Sequence, residues 1–196
     1  MVKLKRRITF NSPVVLSFLA ICLLATLLGQ LTGDKSTYAV FMTYRSSLLS
    51  PMTYVRLFTH VFGHAGWSHF IGNSTYILLL GPMLEEKYGS KEMVEIIAVT
   101  AVVTGLVNAI FFPHVALCGA SGVCFAFILL TSLVSFKDGE LPLTFILVVI
   151  FFLGQQVYDM FFVEDNVSNL SHILGGIVGS ASGFVLNSGK GKGKAS

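Results

Sequence analysis

Apolar residues run in long blocks along this chain, and the charged residues gather between them. No charge occurs from Ile8 to Gly33, and none from Ile96 to Phe136. The second stretch, coiled as one helix, would reach roughly 60 Å at about 1.5 Å per residue. A bilayer's hydrocarbon core is about 30 Å thick, so that stretch folds back once. The segment from Pro113 through Gly119 supplies the break. The pattern predicts six spans, at about 13–33, 66–84, 93–112, 119–136, 141–160 and 168–187. Backbone groups in hydrocarbon need partners within their own segment, so the spans are expected to be helices. Ser12-Pro13 reads as the N-cap and first position of the first. That first stretch is too long for a removable signal peptide and lacks the cleavage pattern. The expected fold class is all-α, one polytopic membrane domain over 1–196 with six transmembrane helices and tails at 1–12 and 188–196. Residues 34–65 are too many for a plain connector and are expected to hold short interfacial helices.

Composition narrows the classes. Hydrophobic residues are 54% of the chain and charged residues 12%, about half the usual charged share of roughly 25%. Mean hydropathy is +0.77. So few charges cannot cover a soluble domain, which excludes an ordinary soluble globule, a disordered chain and a nucleic-acid binder. Cys22, Cys118 and Cys124 lie in apolar runs without metal-binding spacing and read as small apolar residues. Lys3, Lys5, Arg6, Arg7, Lys87, Lys91, Lys137, Lys190, Lys192 and Lys194 share one side of the six-span arrangement; Lys35, Arg45 and Arg56 take the other. Positive charge marks the cytoplasmic side. A multi-pass cell-membrane protein with both termini in the cytoplasm is expected, its basic tail solvated and within reach of anionic lipid.

Polar groups at membrane depth are costly and therefore point to function. His60, His64, His69, His114 and His172 all fall on the outer side or in the outer halves of spans, with Ser68, Asn73, Ser74, Ser121, Asn169 and Ser171. The inner halves hold few such groups. This asymmetry predicts a water-filled cavity open to the extracytoplasmic side. Ser121, in Gly119-Ala120-Ser121-Gly122, opens the fourth span; His172 lies near the start of the sixth, before Gly175, Gly176 and Gly179. Both spans run in the same direction, so the serine and histidine share a depth. Gly122, Gly175 and Gly179 let two helix backbones approach. A serine hydroxyl becomes a useful nucleophile when a base takes its proton. The helix N-terminus at Ser121 offers N–H groups to a developing oxyanion. His69 and Asn73, spaced i, i+4, share a helical face and can both donate hydrogen bonds there.

Other readings of the same residues stand beside this one. The glycine motifs also serve helix packing, and His69 with Asn73 also fits an interhelical tie. His60, His64 and His69 are candidate metal ligands, though no carboxylate or thiolate joins them at usual spacing. Asp159 and Asp165 are candidates to orient His172, and Cys118 is an alternative nucleophile. A transporter would want an internal repeat or charges at mid-membrane, and the sequence has neither.

At these residues the chain resembles the rhomboid family of intramembrane serine proteases, in its compact six-helix bacterial form. The resemblance rests on GxSG at Gly119–Gly122, HxxxN at His69–Asn73 and HxxGxxxG at His172–Gly179. The run from Gly81 to Gly89 looks like the family's turn after the second helix, and Arg56 like the arginine of its first loop. The similarity covers about 51–187. It implies a dyad without a third carboxylate, Ser121 as nucleophile and His172 as general base and then acid. It implies an oxyanion hole of the Ser121 N–H and the side chains of His69 and Asn73. It also implies transmembrane protein substrates in the lipid bilayer, cut near their outer end after a small residue and admitted past the fifth helix and the loop after it, about 141–167. No cofactor, metal or nucleic acid is implied. The family's stacking tyrosine is Phe125 here, its Trp-Arg pair is Val55-Arg56, and Ser171 replaces an alanine before the histidine. A rhomboid-fold binding protein without activity is the alternative; inactive relatives usually lose the serine or the histidine, and both are present.

Overall fold

The computed structural model describes residues 9–136, 140–162 and 166–188, without the side chains of 160, 161 and 166–168. Lys3, Lys5, Arg6, Arg7, Lys137, Lys190, Lys192 and Lys194, which carry most of the expected charge asymmetry, lie outside the described residues, as do Glu164 and Asp165. Among the described residues the structure is helical and forms no strand. The helices are α1 (Pro13–Thr32), α2 (Lys35–Val40), α3 (Pro51–Thr59), α4 (Trp67–Tyr88), α5 (Ser90–Phe111), α6 (Ser121–Ser132), α7 (Leu143–Val148), α8 (Gly154–Phe162) and α9 (Asn166–Ser188). A 3₁₀ turn (His60–Phe62) follows α3, and a π-helical stretch (Val149–Leu153) joins α7 to α8. Helices thus occupy all six apolar stretches. Three of them, Pro13–Thr32, Ser90–Phe111 and Asn169–Ser188, are long and apolar enough to cross a membrane by length and composition. The outward faces of the helices stay apolar: Leu79 of α4 and Phe151 of the π-helical stretch are each 69% exposed, and Leu24, Leu31, Ile110 and Ile177 of the three long helices are exposed as well. A helix apolar on its exposed as well as its buried face suits lipid rather than water.

Hydrogen bonds set the directions. Val14 and Val15 at the start of α1 donate their backbone N–H groups to Glu85 near the end of α4, each at 3.0 Å. Asn187 near the end of α9 donates to Tyr88 Oη and to Leu133 O beyond the end of α6, both at 3.0 Å. So α4, α6 and α9 run together, and α1 runs against them. Their N-terminal turns, which carry His69, Ser121 and His172, meet at the opposite end. The core between them is built from Phe18, Cys22, Ile77, Leu84, Met93, Ile97, Val123, Phe127 and Leu130.

Several expected details are corrected. Ser12 sits at the N-cap of α1 but its side chain makes no cap bond; the Glu85 carboxylate takes the free N–H groups instead, with Ser90 Oγ donating to it at 2.6 Å. A helix N-terminus favours an anion over a hydroxyl. The expected turn over Gly81–Gly89 is helix as far as Tyr88, with Pro82 inside it, and the chain turns at Gly89, φ 103°. The extra turn keeps Glu85 and Tyr88 facing inward. α6 has 12 residues, not the expected 119–136. It rises about 18 Å, well short of a hydrocarbon core. Before it, Gly119 at φ 134° lies outside helical space; after it, the chain passes through turns, Val134 donating to Thr131 O and Phe136 to Leu133 O.

The 34–65 segment does hold short helices, α2, α3 and the 3₁₀ turn. Arg56, 7% exposed, organises it. Its guanidinium donates to Tyr44 Oη at 2.7 Å and Ser46 Oγ at 2.9 Å and lies 4.3 Å from the Tyr44 ring centre.

Candidate active site

The loop before Ser121 is strapped from two sides. Thr43 and Leu117 exchange backbone hydrogen bonds at 2.9 and 2.8 Å, and Gly119 N–H donates to His60 O at 3.0 Å. Asn108 Nδ2 donates to Thr43 O at 3.3 Å and Val115 O at 3.1 Å. The strapped loop delivers Ser121 to the first position of α6, half-buried, with its backbone N–H among the unpaired donors of a helix start.

Gly119 fits on two counts. Its positive φ disfavours side chains, and a Cβ there would stand 2.7 Å from His69 Cε1 and 2.8 Å from His69 Nε2. The same point is 3.8 Å from Asn73 Nδ2. The His69 ring and the Asn73 amide therefore both flank the turn that leads into Ser121. Asn73 is 8% exposed, and its Nδ2 is buried without an acceptor. A buried amide N–H without a partner costs on the order of 1–3 kcal/mol. It lies against the Gly119 turn as a donor without an oxygen.

His172 is brought to the same place by α9. A Cβ on Gly175 would overlap the Gly122 carbonyl oxygen, and one on Gly179 would overlap the Ala126 carbonyl oxygen. The two backbones touch directly, which only glycine permits. This contact sets the His172 turn against the Ser121 turn. The imidazole stacks on Phe125, centroids 4.3 Å apart and planes 4° apart. Phe125 is four residues after Ser121, so it shares the serine's helical face.

His172 Nδ1 donates to Gln156 Oε1 of α8 at 2.6 Å. The sequence reading did not single out Gln156. The available signal was a polar Gln155-Gln156 pair within an apolar span. Asp159, an expected candidate for orienting His172, instead accepts from Gln155 Nε2 at 2.8 Å on its own helix. Asp165, the other candidate, lies outside the described residues.

The remaining histidines do not join the serine. His60 Nε2 donates to Ala101 O at 3.0 Å, and His64 Nδ1 to Phe62 O at 3.2 Å. Burial pushes the His60 imidazole down to about 4, against its hydrogen bond to Ala101. Burial, helped by the neighbouring His69, takes His64 down to about 4. The two rings turn to different carbonyls, and among the described residues no three His, Cys, Asp or Glu side chains converge as metal ligands. Burial, with Asp34 adding, pushes the Cys118 thiol up to about 11, the opposite of an activated nucleophile.

Between α4 and the α7–π–α8 unit lies a cavity of about 460 Å³, lined by Tyr76, Leu79 and Leu80 on one side, Val148 and Phe152 on the other, and Ile128 at its back. Phe151 is exposed, and the side chain of Phe161 lies outside the described residues. Phe152 packs its ring edge-on to Phe125 at 6.3 Å. The fifth-helix unit is fastened to α9: a Cβ on Gly176 would meet Leu153 Cδ2 at 2.7 Å, and Phe145 meets Phe184 at 5.6 Å.

A family model for the Rhomboid domain matches residues 51–189. Rhomboid-related protein 2 of Mus musculus is 31% identical over 161 residues, covering 71% of this chain and 53% of that protein. Rhomboid protease GlpG of Salmonella choleraesuis (strain SC-B67) is 29% identical over 178 residues, covering 88% of this chain and 63% of that protein. This chain spans less than two thirds of the length of either relative. The matched region contains the strapped turn at Gly119, the Ser121 helix and the His172 helix, and the chain belongs to the rhomboid family of polytopic membrane proteins.

Proposed function

We propose that the chain is an intramembrane serine endopeptidase that hydrolyses a peptide bond within transmembrane substrates. The observation that carries the reading is the His172 ring stacked on Phe125, one helical turn from Ser121 on the same face. Similarity to a relative named as a protease supports it. In this mechanism Ser121 Oγ attacks the scissile carbonyl carbon while His172 accepts its proton. The negative oxygen that forms accepts hydrogen bonds from the Ser121 N–H, Asn73 Nδ2 and His69. As the intermediate collapses, the C–N bond breaks and His172 gives the proton to the leaving amine. Water, deprotonated by His172, then attacks the acyl carbon; the bond from that carbon to Ser121 Oγ breaks, His172 returns the proton to Ser121 Oγ, and the new carboxyl end leaves.

The arrangement proposed is six spans in the cell membrane, with α7 to α8 as the fifth. Both termini face the cytoplasm and the Ser121 end opens to the extracytoplasmic side. Substrate helices enter past α7 and α8, along the cleft that faces α4.

The test is cleavage of a model transmembrane substrate by purified protein, with fluorophosphonate labelling of Ser121. Wild type should cleave and label; Ser121→Ala and His172→Ala should do neither while keeping their melting temperatures. Robust cleavage by Ser121→Ala, or no labelling of wild type, would overturn the reading, the second result leaving a rhomboid-fold binding protein.

A further inference from the structure

Stacking on Phe125 fixes the plane of the His172 ring but not its chemistry. An aromatic face offers no acceptor, and a neutral imidazole carries one proton that can sit on either nitrogen. A serine base needs a lone pair on the nitrogen that receives the proton, so the second nitrogen has to hold the N–H. Serine hydrolases on other folds assign this task to a buried carboxylate. Here Asp159 is engaged by Gln155, and the Gln156 side chain reaches the ring.

We propose that Gln156 is a positioning residue that fixes the tautomer and rotation of His172, standing where other serine hydrolases keep a carboxylate; its catalytic consequence rests on the protease reading above. An amide oxygen has no proton to give. At 2.6 Å from Gln156 Oε1, Nδ1 is the donor, and Nε2 at the far side of the ring keeps the lone pair. The bond also selects one of the two ring flips that stacking on Phe125 alone would allow. Gln156 is held for this purpose by its helix: α8 packs on α9 beside the Gly176–Leu153 contact. A neutral acceptor adds no buried charge to a membrane-depth site, where an unpaired carboxylate would be costly. It orients the base without the full electrostatic support for the imidazolium that a carboxylate supplies.

The experiment uses the full chain in detergent micelles with ¹⁵N-labelled histidine, His172→Ala assigning the His172 signals. Long-range ¹H–¹⁵N spectra of wild type should show the Nδ1–H tautomer for His172. Gln156→Leu, and the nearly isosteric Gln156→Met if the leucine variant melts early, should lose that preference. Gln156→Glu, which keeps the acceptor, should restore it. Fluorophosphonate labelling of Ser121 should fall on the order of 10- to 100-fold in the leucine or methionine variant, the scale known for the partners that orient metal-binding histidines, and recover in Gln156→Glu. A purely structural role for Gln156 predicts a lowered melting temperature with the tautomer unmoved. An Nε2–H tautomer in wild type, or a tautomer and labelling rate indifferent to Gln156→Met, would overturn the inference. The tautomer is read whether or not the chain cleaves anything, so failed labelling in every form would count against the protease reading separately.

Discussion

His172 lies parallel to Phe125, 4.3 Å away and 4° from coplanar. The contact joins His172 to the helix that begins at Ser121, so the placement of the ring is set by packing rather than by a loop. Phe125 does this with a ring that carries no hydroxyl. Phe125→Tyr should therefore leave cleavage within about twofold, and Phe125→Leu should lower it roughly tenfold, the upper end of what a stacked aromatic pair is worth. Equal rates for the leucine and tyrosine variants would show that the stack does not position the base.

The dyad reading predicts that losses do not add. Ser121→Ala, His172→Ala and the double variant should have the same residual rate, because either loss disables the proton-coupled attack. A double variant far slower than both single variants would mean that the groups act independently.

Asn73 Nδ2 is buried beside the Gly119 turn without an acceptor. Asn73→Ala should lower kcat on the order of 10² to 10³, the scale for one oxyanion donor, and leave KM nearly unchanged. An interhelical tie predicts the reverse, a lower melting temperature with a normal rate below it. Measuring both quantities separates these.

Gly175 has no room for a side chain against the Gly122 carbonyl. Gly175→Val should push α9 from α6 and cost about 1–3 kcal/mol of stability or more. Below the melting point the rate should still be lost, because the same displacement separates Ser121 from His172. A stable, fully active Gly175→Val protein would refute the close approach.

Acid should destabilise the fold through His60 and His64. Both have an ordinary value of 6.5 and are held near 4 in the folded chain, chiefly by burial. Between about pH 6.5 and 4 the unfolded chain takes up protons that the folded chain refuses, so stability falls as the pH falls through that window. The melting temperature in detergent should drop between pH 7 and 4.5, and less steeply in His64→Phe. An unchanged melting temperature over this range would contradict the assignment.

Much of the fold was legible because apolar continuity is a local property. The apolar stretches fall on helices, and the glycines of 119, 122, 175 and 179 marked where backbone had to approach something. The departures fall where a distant partner decides. Ser12 takes the expected N-cap position, but the Glu85 carboxylate, seventy residues away, accepts from the free N–H groups of α1. Gly81 to Gly89 resembles the family's turn after the second helix, yet it stays helical as far as Tyr88, with Glu85 and Tyr88 meeting inward partners.

The sequence by itself determined the class of molecule. With 12% charge and long apolar blocks, the chain has to satisfy its backbone inside helices. It also named the serine, the histidines and the asparagine. The tertiary structure alone decided how they meet. Which acceptor holds His172, which donor stays unpaired beside Ser121, and that α6 starts below a strapped loop all depend on side chains more than fifteen residues apart. Such contacts follow no period in the chain and arise only when packing brings the helices together.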